Sequence, residues 1–471
     1  MMWQFKSVSL SHKTNDMNAE KVHIKEIIGG RYDNSFVLYH HRMSNYKYPC
    51  SPLNRFLIGK PQYGAGEAGV PREDNESPRY IRITDIDWNG SLDESLGVTA
   101  KTIEEKYILN NNDILIARSG NTVGKSYIHK TEIVKEPCFF AGYLIRFVVD
   151  NNLISPDYIY IFTKLPVYND WVKVTQRVTG QPNINAEEYS NLPIPVPPIA
   201  VQQKIVEIYS QAQQTRLGKL QEAKELLNSI DDYLLEVLKI DKKQQRKEEH
   251  RRIQKNVSSI IGGRLDVSFH SEKFEMISTK YPNAKLSSLV EIDPSIKFNL
   301  QPDTTISFIP MECIDEHFGE ISEYRETTIS KTKGYTKFEE NDLLWAKITP
   351  CMQNGKSAIA RNLKNGLGCG STEYYVMRPK NNEVLIEYIY LLLRHHDVLK
   401  AAQGSFGGSA GQQRVSSQYL KSVTIPYPDI STQKMIVDTI HGITDKAKQL
   451  QKDGDALLEE IKQRIEKMII G

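Results

Sequence analysis

Residues 27–36, IIGGRYDNSF, return 233 positions later as IIGGRLDVSF at 260–269, with eight of the ten positions identical. The offset then persists with small insertions. NDILIAR at 112–118 parallels NDLLWAK at 341–347, Gly124-Lys125-Ser126 parallels Gly355-Lys356-Ser357, and Asp157-Tyr158-Ile159-Tyr160 parallels Glu387-Tyr388-Ile389-Tyr390. Thr179-Gly180-Gln181 parallels Ala410-Gly411-Gln412, and IPVPPIAVQQKIV from Ile194 parallels IPYPDISTQKMIV from Ile425. Order is kept throughout, so the 471 residues hold one unit of about 230 residues twice. A period that long is a domain duplication and not a solenoid repeat.

Each copy has two parts. The first carries short apolar runs such as DILIAR, YLIRFVV, DLLWAK and EYYVMR, broken by Gly, Asn and Pro, which read as strands and turns in a mixed α/β fold with a predominantly β core. A single helix is expected to close it around Ser155–Lys173, and around Glu383–Ala402 in the second copy. A proline-rich connector follows, LPIPVPPIAV or TIPYPDIS, extended because proline lacks an amide donor and has a fixed φ. The second part reads as long helix. Leu220, Ala223, Leu227, Ile230, Leu234 and Val237 alternate spacings of three and four, with an upstream set Val201, Ile205, Ile208 and Ala212 out of phase by one residue. The other copy runs Ile436, Ile440, Ile443, Ala447, Leu450, Gly454, Leu457, Ile461 and Met468. A helix of about 40 residues is ~60 Å long, more than one globular domain requires, so the two seams are expected to pair as an antiparallel coiled coil. The divisions expected are 1–195, a first globular domain; 196–255, connector, long helix and basic linker; 256–428, a second globular domain; and 429–471, a second long helix. The linker, residues 239–255, has eight basic and three acidic residues and reads first as a solvated segment.

Composition removes several function classes. Sixty Lys and Arg against 58 Asp and Glu leave a net charge of +2, so any anion-binding surface must be local. No run of 18 apolar residues and no signal-peptide core at the N-terminus are found, which makes the cytoplasm the default expectation. The five cysteines are scattered without a Cys-x-x-Cys pair, and the paired histidines 40–41 and 395–396 diverge on any regular element, so no metal site is expected. Ser119-Gly120-Asn121-Thr122-Val123-Gly124-Lys125-Ser126 imitates a phosphate-binding loop, but only three residues separate its glycines and strand-like residues follow. Fingerprints of dinucleotide or methyl-donor folds, methylation motifs and hydrolase motifs are missing, and Asp85, Asp87 and Glu312 have no fixed companion lysine. The chain reads as a binder and not as an enzyme.

Its candidate contacts are two glycine-polar loops per copy. Arg118, Ser119, Asn121, Thr122 and Lys125 match Lys347, Thr349, Asn354 and Lys356, and Gln181 and Asn183 match Gln412, Gln413 and Arg414. Lysine and arginine neutralise phosphates, glycine amides approach them closely, and Asn, Gln, Thr and Arg reach base edges.

Taken together, NDILIARSGNTVGKS, NDLLWAKITPCMQNGKS, STEYYVMRP, the Gly-Gln loops and the two proline-plus-helix segments resemble specificity subunits of type I restriction-modification systems, over essentially the whole chain. That resemblance implies two target-recognition domains reading the halves of a bipartite, asymmetric double-stranded DNA site. It implies helices at about 199–250 and 430–470 that set the spacer and dock two methyltransferase subunits, through seam positions such as Leu220, Leu227, Ile230, Leu234, Ile436, Ile443, Leu450, Leu457 and Ile461. It implies that no cofactor is held by this chain, that S-adenosylmethionine is bound by the methyltransferase, and that restriction subunits join. A recognition subunit of a type II-like or other phage-defence methylation system is the alternative; a stand-alone coiled-coil scaffold and a phosphate-loop NTPase are more distant ones.

Overall fold

The computed structural model describes residues 2–6, 19–23, 39, 43 and 45–471, apart from 75, 94, 177–179, 242–273 and 408–412. The repeated decapeptides, His40, His41, Gln412 and most of the basic linker lie outside the described residues. The chain forms two compact units, one of Met1–Lys219 with Lys452–Gly471 and one of Leu220–Gln451. Each unit thus joins one globular part to portions of both long helices.

In the first unit Gln62–Tyr63 (β1), Ile114–Ala117 (β2), Ser126–Ile128 (β3) and Leu144–Phe147 (β4) form an antiparallel sheet in the order β1-β4-β2-β3. Ile114, Leu115, Ile116 and Ala117 are all buried, which is why this strand reads as a continuous apolar run and not as an alternation. Ile114 and Ile116 enter one apolar core, Leu115 and Ala117 another. The turn before β2 explains the Asn-Asp pair: Asn112 has φ +70°, which asparagine tolerates, and Asp113 accepts from the Asn110 amide at 2.9 Å. Arg146 of β4 meets that carboxylate at 3.3 Å.

The expected single helix is two, Pro156–Phe162 (α1) and Pro166–Thr175 (α2). The break falls where Leu165 precedes Pro166, because a residue before proline is pushed out of the helical region; Leu165 has φ −84° and ψ 152°. Pro193–Pro195 (β5) then pairs with Cys50–Pro52 and leads into the long helix Ile199–Val237 (α3).

The second unit repeats this plan. Val290–Ile292 (β6), Leu343–Ala346 (β7), Ser357–Ile359 (β8) and Tyr374–Pro379 (β9) are ordered β6-β9-β7-β8. Asn341 has φ +68°, Asp342 accepts from the Glu339 amide at 2.7 Å, and Arg378 grips Asp342 through Nε at 2.7 Å and a second nitrogen at 2.8 Å. Thr424–Pro426 (β10) pairs with Asn283–Lys285. The helix expected at Glu383–Ala402 is also two, Ile386–Arg394 (α4) and His396–Gln403 (α5), separated by His395, whose Nδ1 accepts from the Asp397 amide. The second long helix is Ile430–Ile470 (α6). The β-rich mixed fold and its tandem duplication are as read from the sequence.

The long helices keep one expectation and correct another. In α3 Ile205, Tyr209, Ala212, Arg216 and Ala223 are buried at heptad spacing, with Tyr209 and Arg216 at core positions that an apolar-only pattern skips, while the buried Leu234 falls one residue out of phase with them, so the discontinuity lies between Ala223 and Leu234. The helix also stops at Val237 instead of near 250: Lys239 turns back with φ +52°, and Ser278 Oγ donates to the Leu238 carbonyl at 2.5 Å. Within the first unit Ile205, Tyr209 and Ala212 share a core with Leu458, Ile465 and Ile469, and Arg216–Asp455 at 2.6 Å and Lys219–Asp453 at 3.9 Å set the two helical segments antiparallel. Gly454 permits the approach, since a Cβ there would stand 3.3 Å from Arg216 Cγ. Within the second unit Leu234, Leu235 and Leu238 share a core with Ile436, Val437 and Ile440, and Lys446 faces Glu222 at 3.3 Å. Of the expected seam positions Leu234 and Ile436 are buried, while Leu220, Leu227, Ile230, Ile443, Leu450, Leu457 and Ile461 are half-buried.

One matched glutamine joins each long helix to its globular part. Gln202, 3% exposed, accepts from the Ser155 amide at 3.1 Å and donates to the Pro197 carbonyl at 2.9 Å. Gln433, fully buried, accepts from the Leu385 amide at 2.9 Å and donates to the carbonyls of Pro428 at 2.9 Å and Glu383 at 3.0 Å. Gln433→Leu keeps the volume but leaves these groups unpaired, so urea unfolding of the second unit should show a loss of about 2–4 kcal/mol; a loss below about 0.5 kcal/mol would mean that the amide is not what holds the joint.

Candidate nucleic-acid interface

The two candidate loops of each copy, some 60 residues apart in the chain, are fastened together at the end of the central strand. In the first unit the Ile184 amide donates to the Arg118 carbonyl at 2.9 Å, the Gly120 amide donates to the Pro182 carbonyl at 2.9 Å, and Ser119 bridges Asn183. In the second the Val415 amide donates to the Lys347 carbonyl at 2.9 Å, the Thr349 amide donates to the Gln413 carbonyl at 3.0 Å, and Ile348 bridges Arg414. A buried tyrosine hydroxyl braces each zipper from beneath: Tyr189 donates to the Ala117 carbonyl at 2.9 Å, and Tyr375 to the Val415 carbonyl at 2.8 Å.

On this shared backbone the side chains differ. Asn121 and Gln181 are exposed, Thr122 Oγ1 donates to the Ser119 carbonyl, and Ser119 is 8% exposed and packs inward. Arg118 lies over the Tyr63 ring, 5.1 Å from its centroid, and Lys347 over Tyr375 at 5.0 Å. Arg414 makes a forked pair with Glu373, Nε to Oε2 at 2.8 Å and Nη2 to Oε1 at 2.7 Å; the guanidinium holds that carboxyl below the usual carboxylate range. Asn354 donates to Glu316 at 3.1 Å, away from the zipper. Tyr63, Tyr143 and Glu373 were not singled out from the sequence. Glu373 sits in the STEYYVMRP string, whereas nothing local marks Tyr63, whose contact spans 55 positions. Among the described residues no group of three or more His, Cys, Asp or Glu is placed to hold a metal ion, and no helix is long and apolar enough to cross a membrane.

The model of the type I restriction modification DNA specificity domain matches residues 72–228 and 280–463, one match in each copy and most of the chain together. The chain belongs to that family. Among curated relatives, the specificity subunit of the type I restriction enzyme EcoEI of Escherichia coli is 34% identical over 189 residues, covering 39% of this chain and 31% of the relative. That of EcoAI, also of Escherichia coli, is 33% identical over the same length, with 39% and 31% covered. The matched stretch spans about a third of the length of each. Among solved structures, a chain from a study of complex assembly and conformational transition in a type I R-M system is 13% identical over 89% of this chain and 97% of that one, with TM-score 0.46. The type I S subunit from M. genitalium is 12% identical over 94% and 98%, with TM-score 0.39.

The Gly-Lys-Ser strings have a different place in these specificity domains from the one their composition suggests. Gly124 and Gly355 have φ +89° and +70° and sit close under α2 and α5, where a Cβ would meet Val172 at 2.9 Å or Leu399 at 3.2 Å. The Lys125 ammonium turns inward, donating to the carbonyls of Ile83 at 3.2 Å and Ile86 at 2.8 Å, and Lys356 reaches the Met311 carbonyl at 3.5 Å. Lys125 therefore moves from candidate phosphate contact to anchor of a neighbouring turn, while the half-exposed Lys356 holds the matching turn by a single longer contact. In the first unit that turn is held further by Tyr160, donating to the Asn89 carbonyl at 3.0 Å, and by Lys164, donating to Ser126 at 2.7 Å and Trp88 at 3.4 Å. In the second, Tyr390 and Arg394 donate to the carbonyls of Gly319 at 2.8 Å and Glu316 at 3.0 Å. An inward ammonium neutralises no phosphate. Lys125→Met should lower the melting temperature yet leave the log–log salt slope of DNA binding unchanged; a slope smaller by about 1 would return Lys125 to the phosphate contacts.

Burial of Lys164, 6% exposed, pushes its ammonium down to about 7. An unfolded lysine titrates near ~10.4, so between these values the unfolded chain binds more protons than the folded one, and stability rises with pH across that window. Burial lowers Lys125 and Lys462 in the same direction. Lys164→Met should therefore flatten the pH 7–10 stability slope by up to about 1.4 kcal/mol per pH unit, read by urea unfolding at several pH values. An unaltered slope would place the lowered titration elsewhere.

Proposed function

We propose that this chain is the DNA-recognition subunit of a type I restriction-modification system, reading a bipartite, asymmetric double-stranded DNA site with one half assigned to each unit. The observation that carries the reading is the zipper seen twice with unlike side chains. A backbone framework common to both units presents Arg118, Asn121, Thr122, Gln181 and Asn183 in one, and Lys347, Thr349, Gln413 and Arg414 in the other. Direct readout uses these donor-rich side chains on base edges, with specificity residing in which of them stands where. The net charge of +2 fits a reader whose positive groups are local.

On this reading the chain performs no bond chemistry. Two methyltransferase subunits, which bind S-adenosylmethionine, dock on α3 and α6, restriction subunits join them, and the complex works in the cytoplasm. Ile199 and Ile430 support a partner present in two copies: they are exposed, 58% and 42%, at the first position of each long helix. Selection from random DNA by the full chain with its methyltransferase subunit should return a two-part motif. Arg414→Ala should relax one base of a single half by about tenfold and leave the other half untouched. A wild-type complex that selects no motif, or a variant that changes both halves, overturns the reading.

A further inference from the structure

We infer that Tyr63 is a positioning residue that makes Arg118 a reader of guanine in the half-site of the first unit. The inference rests on the DNA-reading role proposed above and names the residue pair and base behind it. Arg118 is the first residue beyond β2. Its amide is fixed on the Tyr143 carbonyl at 3.0 Å, its Nε donates to the Gly142 carbonyl at 3.2 Å, and its guanidinium lies over the Tyr63 ring at 5.1 Å. The ring is itself held: Tyr63 pairs with Ile145 in the sheet, and its hydroxyl accepts from the Ala186 amide at 3.1 Å. The ring thus gives the guanidinium a surface to rest on, and the Nε bond fixes one of its edges. An arginine engaged at Nε directs its Nη1/Nη2 edge the other way, and that edge carries the paired donors that match guanine O6 and N7. The surroundings face solvent, Tyr63 being 41% and Tyr143 58% exposed.

The second unit supplies an internal comparison. Its cation at the matched position, Lys347, also lies over a tyrosine, but the ring is Tyr375 on β9 instead of a residue on β1. The position matching Tyr375 in the first unit is Ile145: each faces the second-last residue of the central strand, Trp345 and Ile116 respectively. A cation on a tyrosine ring has therefore been built twice from different strands, which shared descent of one ring does not produce. At this matched position the forked cation belongs to the first unit, Arg118 facing Lys347. Lysine is a point charge with rotatable donors, so base discrimination at this corner is sharper in the first half-site than in the second.

The test is selection from random DNA by the full chain with its methyltransferase subunit, using wild type, Tyr63→Phe, Tyr63→Leu and Arg118→Lys, with melting temperature measured alongside. Guanine should be preferred at one position of the first half-motif. Tyr63→Leu and Arg118→Lys should each cut that preference about tenfold while sparing the other positions. Tyr63→Phe keeps the ring and should retain the preference. A preference that survives Tyr63→Leu, a loss spread over the whole first half, or a Tyr63→Phe as damaged as Tyr63→Leu each overturns the inference. If the second half responds to Arg414→Ala while the first ignores Tyr63→Leu, only this inference falls. If wild type selects no motif, the DNA-reading role falls with it.

Discussion

Everything at the corner where the two loops meet depends on a few backbone hydrogen bonds that join two segments far apart in sequence. Arg118–Gly120 must lie beside Pro182–Ile184, and Lys347–Thr349 beside Gln413–Val415, before any side chain there has a defined direction. Closing a loop of some 60 residues costs several kcal/mol of chain entropy, more than two backbone bonds return. The closure is stabilised instead by what lies behind it: the two-sided burial of β2 and β7, and the tyrosines whose hydroxyls finish the zipper from within. Because the fastening is made by main-chain groups, the outward side chains are free to differ between the copies without loosening it.

Much of the fold was legible because the chain states it twice. The Asn-Asp turn, the buried central strand and the proline connector each recur, and each has a local cause: a left-handed asparagine, burial on both faces, a ring that cannot donate. Features that depend on direction or distance were hidden. Nothing in Gly-Lys-Ser tells which way an ammonium turns, and the carbonyls that capture Lys125 lie some 40 residues upstream. The helix break at Pro166 had a visible signal, while the break at His395 did not. Tyr209 and Arg216 were passed over because a seam was sought in apolar residues, although a long side chain can bury its stem and keep its head paired. The two candidate loops were both found, but their union was not, since no local pattern links residue 118 to residue 184.

The copies have kept the backbone acceptors and two of the three donors, and have exchanged the third, Lys164 for Arg394. In each, backbone carbonyls of the turn near residue 88 or 317 are the targets; the first unit reaches them with Lys125, Lys164 and Tyr160, the second with Lys356, Arg394 and Tyr390. Carbonyls belong to the backbone and survive substitution, so a turn held through them tolerates drift in whatever holds it. The same logic operates at the corner where Arg118 and Lys347 rest on tyrosines drawn from different strands.

The first unit is discontinuous, taking residues 452–471 into a core whose other members precede residue 220. On a ribosome adding about 5–20 residues per second, roughly 10–50 s separate synthesis of Ile205, Tyr209 and Ala212 from that of Leu458, Ile465 and Ile469. The second unit, continuous from Leu220 to Gln451, has all its residues before the first receives its last ones. The half of the chain made second can therefore close first, leaving an apolar stripe of the earlier half waiting for a segment that is made only after the second unit is whole.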